Sequence, residues 1–584
     1  MKSFFKNVLA NIVAIVILCF VFFFFFIIMI VVGSMSGEKS VDVKKNSVLT
    51  INLKTSIIDS PTEEEQSIFN IKNKNTNILI YDAVEAIHKA KDDDNIKGIS
   101  IETDHISAGT TQIDDLRNAI EDFKKSGKFV YAYGNSVSQS SYYLGSVADQ
   151  YYLNPSGGIE LKGLATEVTF FKDFAEKYGI GIEVIRHGKF KSAVEPFLRN
   201  DISPENQEQL STLLNDIWGN TSSKMAASRK MKAEEFKTVV DSLYGMIPDL
   251  TVKYKLADQL IQKTEYDQII KTKLSIADKD KLNKVSLQKY IASFNDNDSS
   301  GEKVAVLYAS GSINNGDGYN DIYSEKYIKY IKDLQEDDNV KAVVLRINSP
   351  GGSANASDEI LFELQQLKKK KPLVVSFGDY AASGGYYIAM GADKIYSEPN
   401  TLTGSIGVFG VLPYFKDIAN KNGVRSDIVA TNANSAYYSS LHGLTPYGVN
   451  LMTRSVEGTY KRFVHFVTQN RKKTFEQIDN VGGGRVWSGV RAKEIGLVDE
   501  LGTLNDAVKF AAQKANLKSY NVASYPKKMT AFQQIFEDMN EDDISARVIK
   551  NKIGKANYEI LEQLTSEKLK SEVKMEMPYR IKID

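Results

Sequence analysis

The sequence has little cysteine, little histidine and no net charge. One of its 584 residues is cysteine, Cys19, and five are histidine. A single cysteine, placed in an apolar N-terminal run, excludes an intrachain disulfide framework, a cysteine metal site and a thiol nucleophile in the rest of the chain. Lys and Arg together number 73, as do Asp and Glu together. With this balance and no basic stripe, we expect no nucleic-acid partner, and we expect neither a cofactor nor a metal ion.

Long apolar runs are also scarce, and the one that stands out is at the N-terminus. No charged residue occurs from Val8 to Val32. This run is long enough to span a bilayer as a helix and longer than the core of a cleaved secretory signal. We predict an N-terminal stub and a transmembrane helix over residues 1–33, followed by a polar tether over residues 34–46. Lysines flank the run on both sides, so charge alone leaves its orientation open.

What the chain does contain is an internal repeat. Tyr142-Tyr143 recurs 244 residues later as Tyr386-Tyr387, and Ala148-Asp149 recurs at the same offset as Ala392-Asp393. In both copies, apolar stretches of strand length alternate with stretches of helical period. Such alternation is typical of β-α-β units with a mostly parallel sheet. The pattern therefore predicts an α/β fold made of two tandem domains.

The repeat also gives the domain boundaries. We predict an N-terminal repeat over residues 47–294 and a C-terminal repeat over residues 303–525. The polar stretch 295–302 has the composition of a linker. Residues 526–584 have no counterpart in the first copy and are predicted to form a helical extension and a tail.

The two copies differ at two informative positions. Ser383 of the second copy corresponds to Gln139 of the first, and Lys191 of the first corresponds to Ser435 of the second. Gln139 and Lys191 are 52 residues apart, and so are Ser383 and Ser435. An ancestral domain that carried serine and lysine at this spacing would leave this pattern if each copy then lost one of them. The repeat therefore predicts one site shared between the two domains.

Ser383 is the candidate nucleophile. Leu373–Phe377 reads as a buried strand, Gly378–Ala382 as a turn, and Ser383 as the start of a helix. A serine at a strand-to-helix turn is held rigidly and faces the positive end of the helix, which favours developing negative charge. The alternative is that Ser383 only caps the helix.

Two further segments fit the same chemistry. Gly351 and Gly352 follow an apolar strand, and a glycine turn at this place exposes backbone N–H groups that can stabilise an oxyanion. The first copy has no glycines at its corresponding positions, residues 104–108. Ser405 lies in a second small-residue turn and could hold a lysine amine by a hydrogen bond. Both segments could equally be ordinary turns.

A serine nucleophile needs a base, and Lys191 is the candidate. Burial disfavours the charged form of a lysine and brings its pKa down towards neutrality. Lys191 stands in a mixed apolar segment where burial is plausible, whereas Lys189 would be solvated if the segment is extended. A solvated surface charge is the alternative for Lys191 itself. A histidine base, His442 or His465, also stays open.

Several motifs together resemble a known family. They are Asn348–Ser353, Gly378–Tyr387, Thr401–Gly407, Lys191–Phe197 and Gly484–Gly489. They resemble the signal peptide peptidase A family, also called protease IV, in its long duplicated form. The resemblance covers the chain from the apolar run to about residue 520.

The resemblance implies two tandem Clp-protease/crotonase-like domains built from repeated ββα units, preceded by one transmembrane helix. It implies a serine protease with a Ser-Lys dyad in which Ser383 is the nucleophile and Lys191 the general base. Ser405 would orient the lysine.

The resemblance further implies that Gly351 and Gly352 supply oxyanion donors, together with the N–H of Gly384. It implies a single-pass protein of the inner (cytoplasmic) membrane whose catalytic body faces the periplasm and forms a homotetramer. The substrates would be signal peptides left in the membrane after preprotein cleavage, and other unfolded or apolar peptides. A protease held at the membrane by one helix meets such peptides at high effective concentration.

Three other functions remain open on the sequence. A non-catalytic membrane scaffold on the same fold is one, because the first copy has already lost its serine and glycines. A crotonase-type acyl-CoA enzyme is another, because that fold also uses glycine-loop N–H groups. The third is a Ser-His hydrolase that uses His442 or His465.

Overall fold

The computed structural model describes residues 6, 10–22, 24–25, 43–52, 56–61, 77–294, 301–526 and 574–577. The strands in these residues, labelled in chain order, are β1 (Ser47–Ile51), β2 (Ile57–Ile58), β3 (Ile78–Leu79), β4 (Ile96–Ile101), β5 (Phe129–Val137), β6 (Gln150–Ile159), β7 (Gly181–His187), β8 (Gln259–Leu260), β9 (Lys284–Ser286), β10 (Lys303–Ser310), β11 (Ile313–Asn314), β12 (Ile322–Tyr323), β13 (Val340–Ser349), β14 (Gly351–Ser353), β15 (Leu373–Ala382), β16 (Lys394–Ser397), β17 (Leu402–Gly404), β18 (Val408–Tyr414), β19 (Tyr438–Ser439), β20 (Gly443–Leu444), β21 (Val486–Ser488), β22 (Glu500–Leu501), β23 (Asn521–Tyr525) and β24 (Lys574–Glu576).

Helices connect most of these strands. Their bounds are Ile80–Asp92, Thr110–Lys124, Gln139–Gly145, Lys172–Tyr178, Glu195–Leu198, Pro204–Ser228, Ala233–Asp241, Pro248–Lys253, Lys263–Lys273, Leu287–Ala292, Ser324–Glu336, Ala354–Lys368, Gly384–Ile388, Lys416–Lys421, Pro446–Arg471, Phe475–Val481, Gly489–Glu494 and Leu504–Lys514. Strands and helices alternate in both halves, which confirms the predicted α/β class.

The first sheet is built from the N-terminal half alone. Its strand order is β8-β6-β5-β4-β1-β9, and every neighbouring pair is parallel. Strand β1 is buried along its whole length. Continuous burial is expected where helices cover both faces of a parallel sheet, and it explains why the strand sequences are apolar runs with little alternation.

The second sheet repeats this architecture in the C-terminal half. Its main order is β21-β17-β15-β13-β10-β23, and β16 and β22 extend it from β15. The pairs are parallel except β17 with β21. The predicted turn Gly378–Ala382 is wrong, because β15 continues through it to Ala382. Tyr380, Ala381 and Ala382 pair with β17, and after a register shift Ala381 still lies opposite Ser349 of β13.

The third sheet joins the two halves and frames the candidate site. Its order is β12-β11-β14-β24-β18-β7. Strand β7 comes from the first half and pairs antiparallel with β18 of the second half, from Gly181↔Tyr414 to His187↔Val408. The segment that follows β7 is thereby carried to the C-terminal half. In the same sheet, β24 lies between β14 and β18 and is antiparallel to both.

The duplication is visible in individual hydrogen bonds. The hydroxyl of Tyr142 donates to the carbonyl oxygen of Leu256 at 2.9 Å, and the hydroxyl of Tyr386 donates to that of Leu497 at 2.6 Å. These bonds occupy corresponding places in the two repeats. The structure therefore confirms the internal duplication inferred from sequence.

A buried ion cluster also ties the halves together. Arg346, on β13, is 1% exposed. Its guanidinium donates to Asp59 of the first half at 2.8 Å and to Glu398 of the second at 3.1 Å. A buried charge is tolerated only when it is paired and hydrogen-bonded, so this cluster requires the N-terminal segment that carries Asp59.

Five predictions concern residues at or beyond the edges of the described part. Residues 10–22 are helical, but most of the remainder of the predicted membrane run lies outside the described residues. Across the part of the chain that the structure describes, no helix is both long and apolar enough to cross a membrane. The tether apart from residues 43–46, the linker apart from its last two residues, and the predicted helical extension also lie outside the described residues. The described piece of the tail contains strand β24. The boundaries 47–294 and 303–525 stay predictions.

Candidate active site

Ser383 lies at a sharp bend between β15 and the short helix Gly384–Ile388. Its backbone angles are φ 55° and ψ −115°, a conformation that side-chain-bearing residues rarely adopt. Strain of this kind persists where the surroundings enforce it, and it is concentrated at functional sites. The N–H of Ser383 donates to the carbonyl oxygen of Gly404 at 2.9 Å, which fixes the bend to the neighbouring strand.

The side chain of Ser383 does not cap the helix. Its hydroxyl is fully buried and lies 2.9 Å from Nζ of Lys191 and 3.5 Å from the carbonyl oxygen of Gly407. The alternative of a capping serine is therefore wrong. The helix has five residues, so its dipole favours negative charge at Ser383 less than that of a longer helix would.

Lys191 reaches Ser383 from the other half of the chain. It follows β7, is 0% exposed, and donates from Nζ to Oγ of Ser383 at 2.9 Å and to Oγ of Ser405 at 3.0 Å. Burial lowers the pKa of the lysine amine to about 7, and the carboxylate of Glu576 opposes this shift. Lys189 is exposed, as predicted. The alternative of Lys191 as a solvated surface charge is wrong.

Ser405 provides two acceptors to the lysine. Beside its hydroxyl, its carbonyl oxygen accepts from Nζ of Lys191 at 3.3 Å. Ser405 has a positive φ of 49°, and its N–H donates to the carbonyl oxygen of Arg485 at 2.7 Å. The amine is thus held between two serines. When it is neutral, its N–H groups can donate to Ser405 and its single lone pair can point at Ser383.

The glycine turn lies beside the same serine. The N–H groups of Gly351, Gly352 and Gly384 are not equivalent as possible oxyanion donors. The N–H of Gly351 donates to Oγ of Ser349 at 3.1 Å and is therefore engaged. A Cβ on Gly384 would lie 3.2 Å from the backbone nitrogen of Gly352, so these two peptide nitrogens are close neighbours. Gly352 and Gly384 are therefore the better candidates for oxyanion donors, and Gly351 serves the turn through its positive φ of 104°.

Two glycines that sequence reasoning did not assign make room for the lysine. A Cβ on Gly484 would lie 2.6 Å from both the backbone nitrogen and the Cβ of Lys191. A Cβ on Gly407 would lie 3.2 Å from the lysine Cδ. Gly484 begins one of the motifs that carry the family resemblance, but the sequence gives no sign that it touches Lys191.

Arg186 and Glu195, to which sequence analysis assigned no role, hold the loop of Lys191 in place. Arg186 donates to the carbonyl oxygen of Lys191 at 3.3 Å and lies 3.9 Å from the carboxylate of Glu195. Glu195 is 1% exposed and accepts from Ser203 at 2.5 Å and from Asn206 at 3.1 Å. The signal in the sequence was a glutamate inside an apolar segment four residues after the lysine.

The counterpart positions in the repeats have lost this arrangement. Gln139 stands where the second repeat has Ser383, and its side-chain amide is bonded to the backbone of Lys162 and Gly163. Ser435 stands where the first repeat has Lys191, and it lies in an exposed loop. Among the described residues, a serine and a lysine therefore meet at Ser383 and Lys191. The corresponding positions, Gln139 and Ser435, do not form such a pair.

The histidine alternative has no support from the geometry. His442 is exposed and its Nε2 lies 3.2 Å from Oγ of Ser426, and His465 is exposed and packs against the ring of Phe466. Among the described side chains, no group of three or more His, Cys, Asp or Glu residues is placed to hold a metal ion.

An open cleft lies beside strands β15 and β17. It has a volume of about 1240 Å³ and is lined by residues that include Gln139, Asn348 and Asp379, but by neither Ser383 nor Lys191. The candidate active site is therefore the buried serine and lysine, which form a nucleophile and base pair that the open cleft does not contain.

Comparison with known proteins gives matches in both repeats. Residues 122–277 and 365–518 match the sequence profile described as Peptidase family S49, and residues 296–403 match that of Clp protease. "Protease 4" of Salmonella typhi is 37% identical over 471 residues, which cover 79% of this chain and 76% of that protein. "Serine protease SPPA, chloroplastic" of Arabidopsis thaliana is 32% identical over 492 residues, covering 81% and 70%. "Putative signal peptide peptidase SppA" of Enterococcus faecium is 32% identical over 240 residues, covering 40% and 70%.

Proposed function

The chain belongs to peptidase family S49 and is a serine protease, and from this premise we propose that Ser383 and Lys191 form its catalytic dyad. The observation that supports the proposal most directly is the 2.9 Å hydrogen bond between Oγ of Ser383 and Nζ of Lys191. Both side chains are fully buried. The Clp protease match in the second repeat agrees with the fold expected there.

In the proposed first step, the neutral amine of Lys191 takes the proton of the Ser383 hydroxyl. Oγ then attacks the carbonyl carbon of a peptide bond, and the negative charge moves to the carbonyl oxygen. The N–H groups of Gly352 and Gly384 donate to this oxyanion. Removal of one such donor in other hydrolases slows the reaction by about 10²–10³-fold.

The intermediate then collapses, and the ammonium of Lys191 gives its proton to the leaving amine. The acyl group stays on Oγ of Ser383 until a water molecule, deprotonated by the same lysine, attacks its carbonyl carbon. The acyl–Oγ bond then breaks, the lysine returns the proton to Oγ, and the second product leaves as the carboxylic acid. Ser405 keeps the amine in place through both steps by its hydroxyl and its carbonyl oxygen. A buried amine with a pKa of about 7 can both accept and release a proton near neutral pH.

Peptide hydrolysis by matched variants tests this dyad. Full-length protein in detergent is assayed with a fluorogenic peptide, and Ser383→Ala and Lys191→Ala are each expected to lose at least about 10³-fold in kcat. The controls are Ser435→Ala and Lys189→Ala, which change an exposed serine and an exposed lysine. Full activity in Lys191→Ala would overturn the dyad.

We further propose that the enzyme degrades signal peptides left in the membrane, from the periplasmic face of the inner membrane and as a homotetramer. The uncharged run Val8–Val32 is of spanning length, and a relative carries the name of a signal peptide peptidase. An anchor would hold the site near its apolar substrates. Neither the scaffold nor the acyl-CoA alternative finds a match among the relatives described above.

The orientation can be tested with the single native cysteine removed. Cys19→Ser with Ser435→Cys carries one thiol, on an exposed loop. A membrane-impermeant maleimide is expected to label this variant in intact spheroplasts, and labelling that requires cell lysis would contradict a periplasmic body.

Light scattering of the detergent-solubilised protein checks the tetramer. Incubation of liposomes that contain a cleaved signal peptide with parent or Ser383→Ala checks the substrate.

A further inference from the structure

The groove beside Ser383 contains a strand of the chain's own C-terminal tail. Strand β24 runs antiparallel to β14, with Met575 opposite Gly352 and Glu576 opposite Gly351. On its other side, Lys574 lies opposite Phe409 of β18. The N–H of Met577 extends the pairing by donating to the carbonyl oxygen of Pro350 at 2.7 Å. An extended peptide added between two strands is a recurring mode of peptide recognition.

One carbonyl group of this strand lies at the glycine turn next to Ser383. A Cβ on Gly351 would lie 2.1 Å from the carbonyl oxygen of Met575 and 2.7 Å from the backbone nitrogen of Gly384. A Cβ on Gly384 would lie 3.2 Å from both that same carbonyl oxygen and the nitrogen of Gly352. The Met575 carbonyl therefore fills the space that the glycines leave, beside the two N–H groups assigned above to the oxyanion.

The residue after this carbonyl is also placed at the dyad. Glu576 is near enough to Lys191 for its carboxylate to act on the charge of the amine. The Met575–Glu576 bond thus has its carbonyl oxygen at the glycine turn. A substrate bond attacked by Ser383 would have to take the same position.

The side chains of the strand alternate between buried and half-exposed. Met575 is 0% exposed and belongs to the core of the second half, and Met577 is 6% exposed and packs in a cluster that includes Ala382 and Leu402. Lys574 and Glu576 are half-buried. Burial of a methionine side chain is stabilising, so the groove favours apolar residues at two positions, two residues apart.

We propose that residues 574–577 are a resident ligand of the substrate groove, which competes with peptide substrates and reveals the side chains that the groove selects. The preferred substrate has an apolar residue immediately before the cleaved bond and a second apolar residue two positions later. The inference rests on the proposed Ser383–Lys191 dyad for the position of the cleaved bond. The occupancy of the groove by the tail does not depend on catalysis.

Displacement of the tail in the full-length protein tests the competition. Met575→Asp puts a carboxylate where the strand is fully buried, so the tail is expected to leave the groove. The KM for a fluorogenic peptide should then fall by about tenfold or more with kcat unchanged, because a tethered competitor acts at millimolar effective concentration. The matched control is Lys574→Gln on the half-buried side of the same strand. An unchanged KM in Met575→Asp would overturn the competition.

A binding experiment separates this inference from the dyad. A fluorescent synthetic peptide with the sequence of residues 570–580 is titrated onto full-length protein carrying both Ser383→Ala and Met575→Asp, and anisotropy is recorded. Saturable binding, weakened about tenfold or more by a Met575→Asp change in the peptide, is expected from the lost apolar burial. If the double variant binds the peptide but the parent protein shows no hydrolysis, the dyad is refuted and the assignment of the groove stands. Active parent enzyme with no binding, and no inhibition by the peptide, would refute the groove.

The fate of the Met575–Glu576 bond gives a third readout. Intact mass of the parent and of Ser383→Ala is compared after incubation at neutral pH. Loss of residues 576–584 from the parent alone would support the register, since water is then the only co-reactant and Met575 keeps the new carboxylate. A cut at another bond of residues 574–577 would overturn the register.

Discussion

Gly484 lies directly against Lys191, and the lysine backbone occupies the space where a side chain of residue 484 would be. A Cβ at this position would come within 2.6 Å of the backbone nitrogen of Lys191. The lysine comes from one half of the chain and the glycine from the other. The pairing of β7 with β18 and the glycine at 484 together bring the amine of Lys191 to Ser383.

We predict that Gly484→Ala impairs catalysis by moving the loop of Lys191. The lysine must shift because the clash is with backbone atoms, and a displacement of about 1 Å can cost about 10²-fold in rate. The matched control is Gly423→Ala, which has a similar positive φ of 78° but nothing within 4 Å of the added methyl. Both variants carry the same backbone strain, so equal kcat values in the peptide assay would contradict the prediction.

The activity should rise with pH through the pKa of Lys191. Burial lowers that pKa to about 7, and in the proposed mechanism the neutral amine accepts the proton of Ser383. We expect kcat/KM to increase by about tenfold per pH unit below 7 and to level off above it. The pH profile of the parent enzyme measures this, and a plateau reached only near the ordinary lysine pKa would show that the amine is not desolvated in the working enzyme.

The same burial should make Lys191 a cost to stability. The amine titrates at about 7 in the folded protein and near 10.4 in the unfolded chain, so between these values the unfolded state binds more protons and stability rises with pH. Lys191→Met removes the buried amine, and we expect a higher melting temperature at pH 6 and a smaller gain at pH 10. Lys189→Met, at an exposed position, should show no such pH-dependent gain.

Ser405→Ala should lower kcat without raising KM. The variant removes the hydroxyl that accepts from Nζ of Lys191 at 3.0 Å but keeps the carbonyl oxygen, which accepts at 3.3 Å. A less well oriented amine is expected to reduce kcat by about 10–100-fold. Steady-state kinetics separate the two constants, and Ser435→Ala serves as the control. A rise in KM with kcat intact would mean that Ser405 serves binding of the substrate.

Arg346→Met should destabilise the protein strongly. It leaves the buried carboxylates of Asp59 and Glu398 without their cation, which typically costs about 3–5 kcal/mol. Arg462→Met breaks a pair with Asp358 in which the arginine side chain is 56% exposed, and it should cost about 0–1 kcal/mol. Urea unfolding in detergent compares the two variants. Similar midpoints would mean that the interior cluster does not hold the halves together.

Much of the architecture was readable from the sequence because it depends on local patterns. Apolar runs such as the one in β13 predicted buried parallel strands, and the recurrence of Tyr142 as Tyr386 predicted the duplication. The reciprocal loss of serine and lysine pointed to Ser383 and Lys191 as partners. The predicted turn at Gly378–Ala382 failed because small residues and glycine read locally as a turn, whereas a neighbouring strand holds them extended.

The sequence by itself determined the α/β class, the repeat and the identity of the two candidate catalytic side chains. Only the tertiary structure decided that β7 crosses to the second half, that the N–H of Gly351 is taken by Ser349, and that Met575 lies in the groove. Periodicity reports which face of a segment is buried. It carries no information on which distant segment does the burying, and that choice depends on register and packing between parts of the chain far apart in sequence.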